Sequence, residues 1–344
     1  MDVGYRVAVV GATGAVGQQM LKFLEEREFP VREIIPLSSA RSAGNQITFM
    51  GKQVEIQEAK PESFTGVDIA LFSAGGNISK QLAPEAVKRG AVVIDNTSAY
   101  RMDTNVPLVV PEVNPDAIRR HNGIIANPNC STIQMVAALK PLVDKYGLER
   151  IIVSTYQAVS GAGMEAMQEL EAQSEAWVRG DDVQAQYLPV GKAEKHYQMA
   201  FNVIPQVDMG QENNFTFEEM KMIQETKKIL EDESIRVAAT CVRVPVMRGH
   251  SESVYVELKS DYDLAEVRSL LQQTDGIIVQ DNIIEQEYPM PLDATDRTEV
   301  FVGRLRRDLD YPRGLHLWVV SDNLLKGAAT NSIQIAETLV SQGL

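Results

Sequence analysis

The sequence predicts an α/β fold with two domains, and three observations support this prediction. Short β-branched runs alternate with amphipathic helical segments between residues 5 and 126, a pattern typical of a parallel sheet covered by helices on both faces. After Gly147 longer strands follow one another, which predicts an antiparallel α+β domain. The chain has 344 residues, enough for about two domains with sizeable cores.

Composition and charge limit the classes of protein to which the chain can belong. An apolar content of 44% and a charged content of 23% are ordinary for a soluble globular chain. The net charge of -14 opposes nonspecific attraction to nucleic acid or anionic membrane, so an anionic substrate needs a local basic pocket. No signal peptide or membrane span is expected, and no residue pattern predicts a metal site. Two cysteines predict no disulfide framework and a reducing cytoplasm as the location.

The first predicted strand, residues 5–10, leads into a glycine turn and an amphipathic helix. Gly11, Gly14 and Gly17 have the spacing G-x-x-G-x-x-G, which differs from the dinucleotide fingerprint G-x-G-x-x-G. A strand, a glycine turn and a helix are the first unit of a dinucleotide-binding fold, with the pyrophosphate over the helix N-terminus. A tight turn without a nucleotide is the alternative.

The second predicted strand, residues 33–37, bears on the choice of cofactor. An NAD site would place an acidic residue at the end of this strand to bind the ribose 2′-hydroxyl, whereas Ser38, Ser39, Ala40, Arg41 and Ser42 follow here. The guanidinium and the serine hydroxyls suit a 2′-phosphate. NADP is therefore preferred over NAD, and an exposed arginine without a role is the alternative.

Small or polar residues follow the next two predicted strands. Residues 67–72 precede Ser73 and Ala74, which are small enough to let a cofactor pass close to the backbone. After a helix at about residues 80–88 and a strand at 91–94, the chain continues into Asn96 and Arg101. Ligands of parallel sheets gather beyond the carboxyl ends of the strands. Arg101 could therefore bind an anionic group, and a solvated loop charge is the alternative.

Cys130 follows a strand end and begins a helical pattern. Asn129 is a plausible N-cap, which would place Cys130 in the first helical turn. Unpaired N–H groups and the helix dipole favour an anion at this position, and a thiolate is the reactive form of cysteine. Cys130 is therefore a candidate nucleophile, and a small buried side chain is the alternative.

Further candidates lie in the second domain. Gln157 ends a predicted strand and could orient a substrate, with a loop hydrogen bond as the alternative. A capping box at Thr216 and Glu219 opens a predicted helix over residues 218–230. Glu218 and Lys221 lie three residues apart on one face of this helix, and an exposed ion pair is the alternative to a functional pair.

A long predicted strand, residues 235–247, carries Cys241 and Arg243 on one face. Cys241 lies in mid-strand without a helix terminus and is interpreted as structural. Arg243 lies between valines and must reach solvent or an anion. His250 follows in a glycine-flexed loop, where a neutral imidazole could exchange protons at neutral pH.

The last predicted helix, residues 330–340, is long enough to pack back on the first domain. The predicted domains are therefore residues 1–128 with 322–344, and residues 129–321. Residues 180–214 carry mixed charge, prolines and little periodicity, and an irregular structure is predicted for them.

Taken together, these motifs resemble the aspartate-semialdehyde dehydrogenase family over nearly the whole chain. The residues that carry the resemblance are 11–17, 39–42, 127–132, 156–163, 218–221, 243–245, 249–252 and 322–328. The resemblance implies a Rossmann-type NADP-binding domain and an α+β catalytic and dimerisation domain that forms a homodimer. The short irregular segment 180–214 is similar to that of the Gram-positive-type branch of the family.

The resemblance also implies a role for each candidate residue. Cys130 would be the nucleophile and His250 the general acid/base, with Gln157 beside them. The substrate would be held by Arg101, Lys221, Arg243, Glu218, Gln157 and Asn129, with the two cations Arg101 and Lys221 on its phosphate. The NADP site would be lined by Gly11, Thr13, Gly14, Ala15, Val16, Ser39, Arg41, Ser42, Ser73, Ala74, Ser160, Gly161 and Asn323.

The implied reaction is the NADPH-dependent reductive dephosphorylation of L-aspartyl 4-phosphate to L-aspartate 4-semialdehyde through a thioacyl intermediate on Cys130. It serves the biosynthesis of lysine and diaminopimelate, methionine, threonine and isoleucine. The nearest alternative is the related reductase of N-acetyl-glutamyl phosphate, against which Arg243 and Glu218 argue because they suit a free carboxylate and a free amine. A Cys-His hydrolase would leave the nucleotide motif without a role, and a non-catalytic NADP-binding module would not require a thiol at a helix start.

Overall fold

Residues 4–343 are described by the structure, a computed structural model, and they form two units. The first unit comprises residues 4–129 and 328–343, and the second comprises Cys130–Gly327. The chain therefore crosses between the units after Asn129 and after Gly327, where the sequence predicted crossings after residues 128 and 321.

The first unit is built on a parallel sheet. Its elements in chain order are β1 (Tyr5–Val10), α1 (Ala15–Glu26), β2 (Val31–Ser38), β3 (Gln46–Phe49), β4 (Lys52–Glu55), β5 (Gln57–Glu58), β6 (Ile69–Phe72), α2 (Gly76–Lys88), β7 (Val92–Asp95) and β8 (Ile124–Ala126). Six strands in the order β5-β2-β1-β6-β7-β8 pair in parallel throughout. This confirms the parallel sheet predicted from the alternation of strands and helices.

The hairpin of β3 and β4 lies outside the sequence predictions. Its strands pair antiparallel and are joined by Met50 and Gly51, both of which have positive φ angles of 47° and 72°. Phe49 is the buried apolar residue of the pair, whereas the other strand residues are exposed or half-buried. Strands this short and polar carry little of the alternation by which strands are recognised.

The second unit contains a mixed sheet. Its elements are α3 (Cys130–Tyr146), β9 (Leu148–Gln157), α4 (Met164–Arg179), α5 (Phe217–Leu230), β10 (Arg236–Arg243), β11 (His250–Leu258), α6 (Leu264–Gln272), β12 (Ile277–Val279), α7 (Pro291–Ala294), β13 (Val300–Arg307) and β14 (Gly314–Ser321). The strand order is β10-β9-β11-β14-β13-β12.

The prediction of a purely antiparallel second sheet was wrong in part. The inner pairs are antiparallel, but β9 with β10 and β12 with β13 are parallel. Each of these parallel pairs is joined by a long crossover that contains a helix, because a tight hairpin cannot connect parallel strands. The region 180–214 contains no helix and no named strand among its described residues, as predicted.

Two strand boundaries differ from the predictions in a way that matters for the site. β10 ends at Arg243 instead of residue 247, because Pro245 cannot donate a ladder hydrogen bond. β11 begins at His250 instead of residue 253, since His250 already pairs with Ser321 of β14. His250 is therefore a strand residue and does not lie in a flexible loop.

One face of the second sheet is covered by helices and carries the core of this unit. Side chains alternate along β9, so that Ile151 and Val153 are buried while Ile152 and Tyr156 are 39% and 38% exposed. The buried face packs against α3, α5 and α6. The opposite face, which includes Tyr156 and its neighbour Trp318, is the less covered one.

The chain returns to the first unit through α8 (Thr330–Ser341), which follows a π-helical turn at Leu325–Ala329. Glu337 of α8 accepts two hydrogen bonds from Arg27, each 2.7 Å long, and Gln334 donates one of 2.8 Å to Glu112. The predicted return of this helix to the first unit is therefore confirmed. No helix among residues 4–343 is long and apolar enough to span a membrane.

Candidate active site

The glycine turn after β1 brings backbone segments of the first unit into close contact. A Cβ atom on Gly11 would lie 3.0 Å from main-chain atoms of Ser73 and Ala74, and one on Gly17 would lie 2.1 Å from the carbonyl oxygen of Gly11. Gly11 also has a φ of +90°. Glycine is required at both positions, because any side chain would push the turn away from β6 or from the start of α1.

The N-terminus of α1 is suited to an anion. Its N-cap is Gly14, which provides no side-chain hydrogen bond to the first turn, and no acidic residue lies in that turn. The first backbone N–H groups of a helix have no intrahelical acceptor, and the helix dipole is positive at this end. A phosphate group is the usual ligand of such a turn, so the structure fits the predicted pyrophosphate position.

The end of β2 lies against the same turn. The N–H groups of Gly11 and Ala12 both donate to the carbonyl of Leu37, at 2.8 and 3.1 Å. The Thr13 and Ser38 hydroxyls are hydrogen-bonded at 2.9 Å. Ser39, Arg41 and Ser42 follow directly, and the side chain of Arg41 is exposed. The end of β2, from which the chain continues into Ser39, Arg41 and Ser42, therefore lies beside the glycine turn.

Arg101 is buried and is not a solvated loop charge. The residue is 8% exposed, Nε donates to the carbonyl of Asn127 at 2.9 Å, and Nη2 donates to the carbonyl of Asn96 at 3.0 Å. Asn127 and Asn129 are buried as well. The guanidinium is thus held by main-chain carbonyls at the carboxyl ends of β7 and β8.

In the second unit, Cys130 is the first residue of α3, as the sequence predicted, and it is half-buried. A Cβ atom on Gly327 would lie 2.6 Å from the Cβ of Cys130. The glycine therefore lets the chain after β14 pass directly beside the thiol-bearing residue.

His250 is completely buried beside β9. Its Nδ1 atom accepts a hydrogen bond from the N–H of Ala158 at 3.0 Å, and its Nε2 atom has no partner among the described residues. Burial, and then the charge of Arg243, lowers the pKa of His250 to about 3, while Glu218 acts in the opposite direction. The imidazole is therefore neutral, and the acceptor role of Nδ1 assigns its proton to Nε2.

Arg243 lies next to this imidazole. Its Nη1 donates to the carbonyl of Ala158 at 2.7 Å, and its buried Nε has no partner among residues 4–343. Burial lowers the pKa of Arg243, whereas the nearby Glu218 and Cys130 raise it. A Cβ atom on Gly161 would lie 2.9 Å from Nη1 of Arg243 and 3.0 Å from Nε2 of His250. The backbone at Gly161 therefore passes close to the predicted catalytic His250 and to the predicted substrate-binding Arg243.

Glu218 joins Gln157 to Lys221. Gln157 Nε2 donates to Oε1 of Glu218 at 3.1 Å, and Nζ of Lys221 donates to Oε2 at 3.1 Å. Glu218 is 5% exposed, so the alternative of an exposed ion pair is wrong. Lys221 also pairs with Asp208 at 2.8 Å. Asp208 was not predicted from the sequence, since it lies in the irregular segment with no periodicity to mark it.

Asn323 contacts Ser160, another residue predicted to line the cofactor site, and also the turn before β11. Its Oδ1 atom accepts hydrogen bonds from the Ser160 hydroxyl at 3.1 Å and from the Gly249 N–H at 3.0 Å. The neighbouring Asp322 is paired with Arg248 at 2.6 Å. Arg248 is therefore a structural cation that fixes the chain around Asn323.

The structure thus groups the predicted residues within each unit. The second unit brings together Cys130, Gln157, Ser160, Gly161, Glu218, Lys221, Arg243, His250 and Asn323 through the contacts described above. The first unit holds Gly11, Thr13, Gly14, Ala15, Val16, Ser39, Arg41, Ser42, Ser73, Ala74, Arg101 and Asn129. Within the second unit, a thiol, a neutral imidazole and a buried guanidinium suit nucleophilic attack on a carbonyl carbon.

Comparisons with known proteins agree with this arrangement. The family model described as "Semialdehyde dehydrogenase, dimerisation domain" matches residues 139–326, and "Semialdehyde dehydrogenase, NAD binding domain" matches residues 6–121. The aspartate-semialdehyde dehydrogenase of Bacillus subtilis (strain 168) is 61% identical over 340 residues, which cover 98% of each chain. The chain belongs to the aspartate-semialdehyde dehydrogenase family. It is an oxidoreductase with a nicotinamide nucleotide-binding domain.

Solved structures share the fold of this enzyme over its whole length. Aspartate-semialdehyde dehydrogenase II of Vibrio cholerae, complexed with ASA, has a TM-score of 0.94 and 49% identity, and 99% of each chain is covered. The aspartate-semialdehyde dehydrogenase of Candida albicans with NADP has a TM-score of 0.75 and 27% identity, covering 98% of this chain and 99% of that one. The two-domain α/β prediction is confirmed.

Proposed function

We propose that the enzyme reduces L-aspartyl 4-phosphate to L-aspartate 4-semialdehyde, with release of phosphate and through a thioester on Cys130. This reaction belongs to the biosynthesis of amino acids derived from aspartate. The observation that carries the proposal is the buried pairing of Glu218 with Gln157 next to Arg243, whose charge acts on both Cys130 and Glu218.

Glu218 distinguishes the substrate from its acetylated relatives, whereas Arg243 suits the α-carboxylate that both kinds of substrate carry. The buried Nε of Arg243 has no partner among the described residues, which leaves a donor for the α-carboxylate of an amino acid. Glu218 is buried, and its carboxylate suits a free α-ammonium group. An N-acetyl group would bring no charge to Glu218, so the N-acetyl-glutamyl phosphate alternative is disfavoured.

In the first half-reaction, the Cys130 thiolate attacks the β-carbonyl carbon and forms a C–S bond. The C–O bond to phosphate breaks, and phosphate leaves with the bonding electron pair. The position of Cys130 at the start of α3 and the charge of Arg243 both favour the thiolate over the thiol. We assign the leaving phosphate to Arg101 and Lys221, with Asn129 contributing to the substrate site.

In the second half-reaction, the thioester carbonyl carbon becomes an aldehyde carbon. A nicotinamide nucleotide, when bound, would supply the hydride. His250 directs the proton of Nε2 toward the carbonyl oxygen as negative charge develops there, because Nδ1 is occupied by the N–H of Ala158. The C–S bond then breaks, and the electron pair returns to Cys130.

We assign NADP as the preferred nucleotide. The fit of the glycine turn to a pyrophosphate supports a dinucleotide, and Ser39, Arg41 and Ser42 stand where NAD sites carry a carboxylate. Arg41→Ala should raise the KM for NADPH about tenfold and leave the KM for NADH within about twofold, since one ion pair to the 2′-phosphate is lost. A parallel rise in both constants would contradict this role of Arg41.

We further propose that two copies associate through the less covered face of the second sheet. Ile152, Tyr156 and Trp318 lie on this face, and the first two are more than a third exposed. Sedimentation analysis should give a dimer, and Ile152→Asp should shift it toward the monomer while Ile283→Asp, in an exposed loop, should not. A catalytic thiol must stay reduced, which supports a cytoplasmic location.

The assay that tests the reaction runs it in reverse. Aspartate semialdehyde, NADP and phosphate are mixed with the enzyme, and the absorbance of NADPH is followed. NADPH should form continuously only when phosphate is present, because phosphate releases the acyl group from Cys130. Without phosphate, NADPH formation should stop at about one equivalent per active site, when the thioester has accumulated. N-acetyl-glutamate semialdehyde should give less than about a hundredth of the rate, since its amine carries no charge for Glu218. Continuous NADPH formation without phosphate, beyond one equivalent per active site, would favour simple oxidation to the acid and would overturn the proposal.

A further inference from the structure

A chain of hydrogen-bonded amide side chains in the first unit ends at Arg101. The side chain of Asn127 is completely buried; its Nδ2 donates to Oδ1 of Asn96 at 2.6 Å, and its Oδ1 accepts from Nδ2 of Asn331 at 2.7 Å. The main-chain carbonyls of Asn127 and Asn96 both accept hydrogen bonds from the Arg101 guanidinium. The residues that orient Arg101 are therefore oriented in turn by Asn331.

Asn331 reaches this network from a distant part of the sequence. It lies in the first turn of α8, 204 residues after Asn127, and it is completely buried. Its Nδ2 group also donates to the carbonyl of Val109 at 3.0 Å. The N–H of Val109 pairs in turn with the carbonyl of Ala126, next to Asn127. One amide group thus joins α8 to the carboxyl end of β8 and to the segment at Val109 that runs beside this strand.

We propose that Asn331 is a positioning residue for phosphate: through Asn127, it fixes the orientation in which the Arg101 guanidinium binds the phosphate group. This inference rests on the proposed function, in which Arg101 is a phosphate ligand. A guanidinium binds phosphate through N–H groups in a fixed fork geometry, so a tilt of its plane weakens this contact while the net charge of the site is unchanged.

The residue at position 331 must be a donor. Its Nδ2 group donates to Oδ1 of Asn127 and to the carbonyl of Val109, and both of these atoms are acceptors. Asn331→Ala leaves both without this donor, and Asn331→Asp keeps the size of the side chain but places oxygen against oxygen. We therefore expect the Asp variant to be impaired at least as strongly as the Ala variant.

The test measures the reverse reaction with phosphate as the varied substrate. Asn331→Ala should raise the KM for phosphate by about tenfold, because two buried acceptors lose a hydrogen bond, and should leave the KM for NADP and for aspartate semialdehyde within about twofold. The matched control is Gln334→Ala, which removes an amide contact of the same helix to Glu112 and should leave all three constants within about twofold.

Arg101→Leu and the double variant separate this inference from the proposed function. Arg101→Leu should raise the KM for phosphate, and Asn331→Ala should add no further effect in that background, since Asn331 acts through Arg101.

The possible outcomes separate the two proposals. If Arg101→Leu raises the KM for phosphate and neither Asn331 variant does, the inference is overturned and the role of Arg101 stands. A parallel rise of all three KM values would likewise overturn it and indicate a structural role alone. If Arg101→Leu leaves the KM unchanged, the phosphate role of Arg101 fails and the inference fails with it. If the Ala variant does not fold, the Asp variant decides by the same criteria.

Discussion

The start of α3 and the middle of β10 each carry one of the two cysteines of the chain, and their surroundings differ. Cys130 is half-buried at a helix N-terminus, where the cation of Arg243 acts on it. Cys241 is completely buried, with its sulfur 3.8 Å from that of Met222. Burial, followed by the charge of Glu218, raises the pKa of the Cys241 thiol. We therefore propose that the same side chain is a nucleophile at one position and a packing group at the other, and that the backbone around it decides which.

The comparison predicts its largest effect for the helix-start cysteine. Cys130→Ser should lower kcat by about 10³-fold or more, because a serine hydroxyl at this position stays protonated and forms no thioester. NADP binding, measured by fluorescence titration, should be unchanged and serves as the control for folding. A variant that keeps a tenth of the activity would remove Cys130 from the mechanism.

Substitution of the proposed general acid/base, His250, should lower kcat nearly as strongly. His250→Gln should lower kcat about 10²-fold, since the proton donor to the carbonyl oxygen is lost. The KM for phosphate should change by less than about twofold, because His250 is not assigned to phosphate. His121→Gln, in the first unit, is the matched control and should retain full activity. Equal kinetics for both histidine variants would contradict the role of His250.

Substitutions in the buried region around Cys241 should change the free energy of unfolding and leave the activity unchanged. Glu252 is buried in this region, and burial raises its pKa well above the usual range, with the amide of Gln134 acting in the opposite direction. Above the pKa of an unfolded glutamate, about 4.3, the folded state keeps a proton that the unfolded state has lost. The free energy of unfolding therefore falls as the pH rises, by at most about 1.4 kcal/mol per pH unit from this group.

Glu252→Gln replaces the neutral acid with a neutral amide and removes this pH dependence. The thermal midpoint of the variant, compared with that of the unchanged enzyme, should therefore rise between pH 5 and pH 8. Glu257→Gln on the same strand is half-buried and provides the control. A difference in midpoint that stays constant across this pH range would show that Glu252 is already ionised in the fold.

The smallest effect is expected at Cys241 itself. Cys241→Ala should lower the free energy of unfolding by about 1–2 kcal/mol, because a small cavity forms beside Met222. Both kcat and KM should stay within about twofold of the unchanged enzyme. Denaturant unfolding measures the free energy, and steady-state kinetics measure kcat and KM. A loss of activity without a loss of stability would contradict the structural role of Cys241.

The placement of much of the candidate active site could be predicted, because its residues lie at ends of elements that the sequence marks clearly. A strand that stops at proline, followed by a helical pattern, predicted the placement of Cys130, and a capping box predicted the start of α5 near Glu218. The glycine turn predicted the first βα unit in the same way.

The remaining features depend on contacts between distant segments, which local patterns do not encode. Lys221 pairs with Asp208, and Asn127 with Asn331 across 204 residues, although no motif connects either pair. His250 was predicted in a loop because glycine precedes it, and tertiary pairing with Ser321 made it a strand residue. The parallel edges of the second sheet were missed for the same reason.

Alkylation by iodoacetamide tests most directly the claim that one thiol is activated and the other is not. The enzyme is treated with a limiting amount of reagent, and peptide masses and activity are sampled together over time. Cys130 should be alkylated first, activity should fall in proportion to its modification, and Cys241 should stay unmodified until the protein is unfolded. Full alkylation of Cys130 with turnover intact, or inactivation that follows the modification of Cys241, would contradict the account.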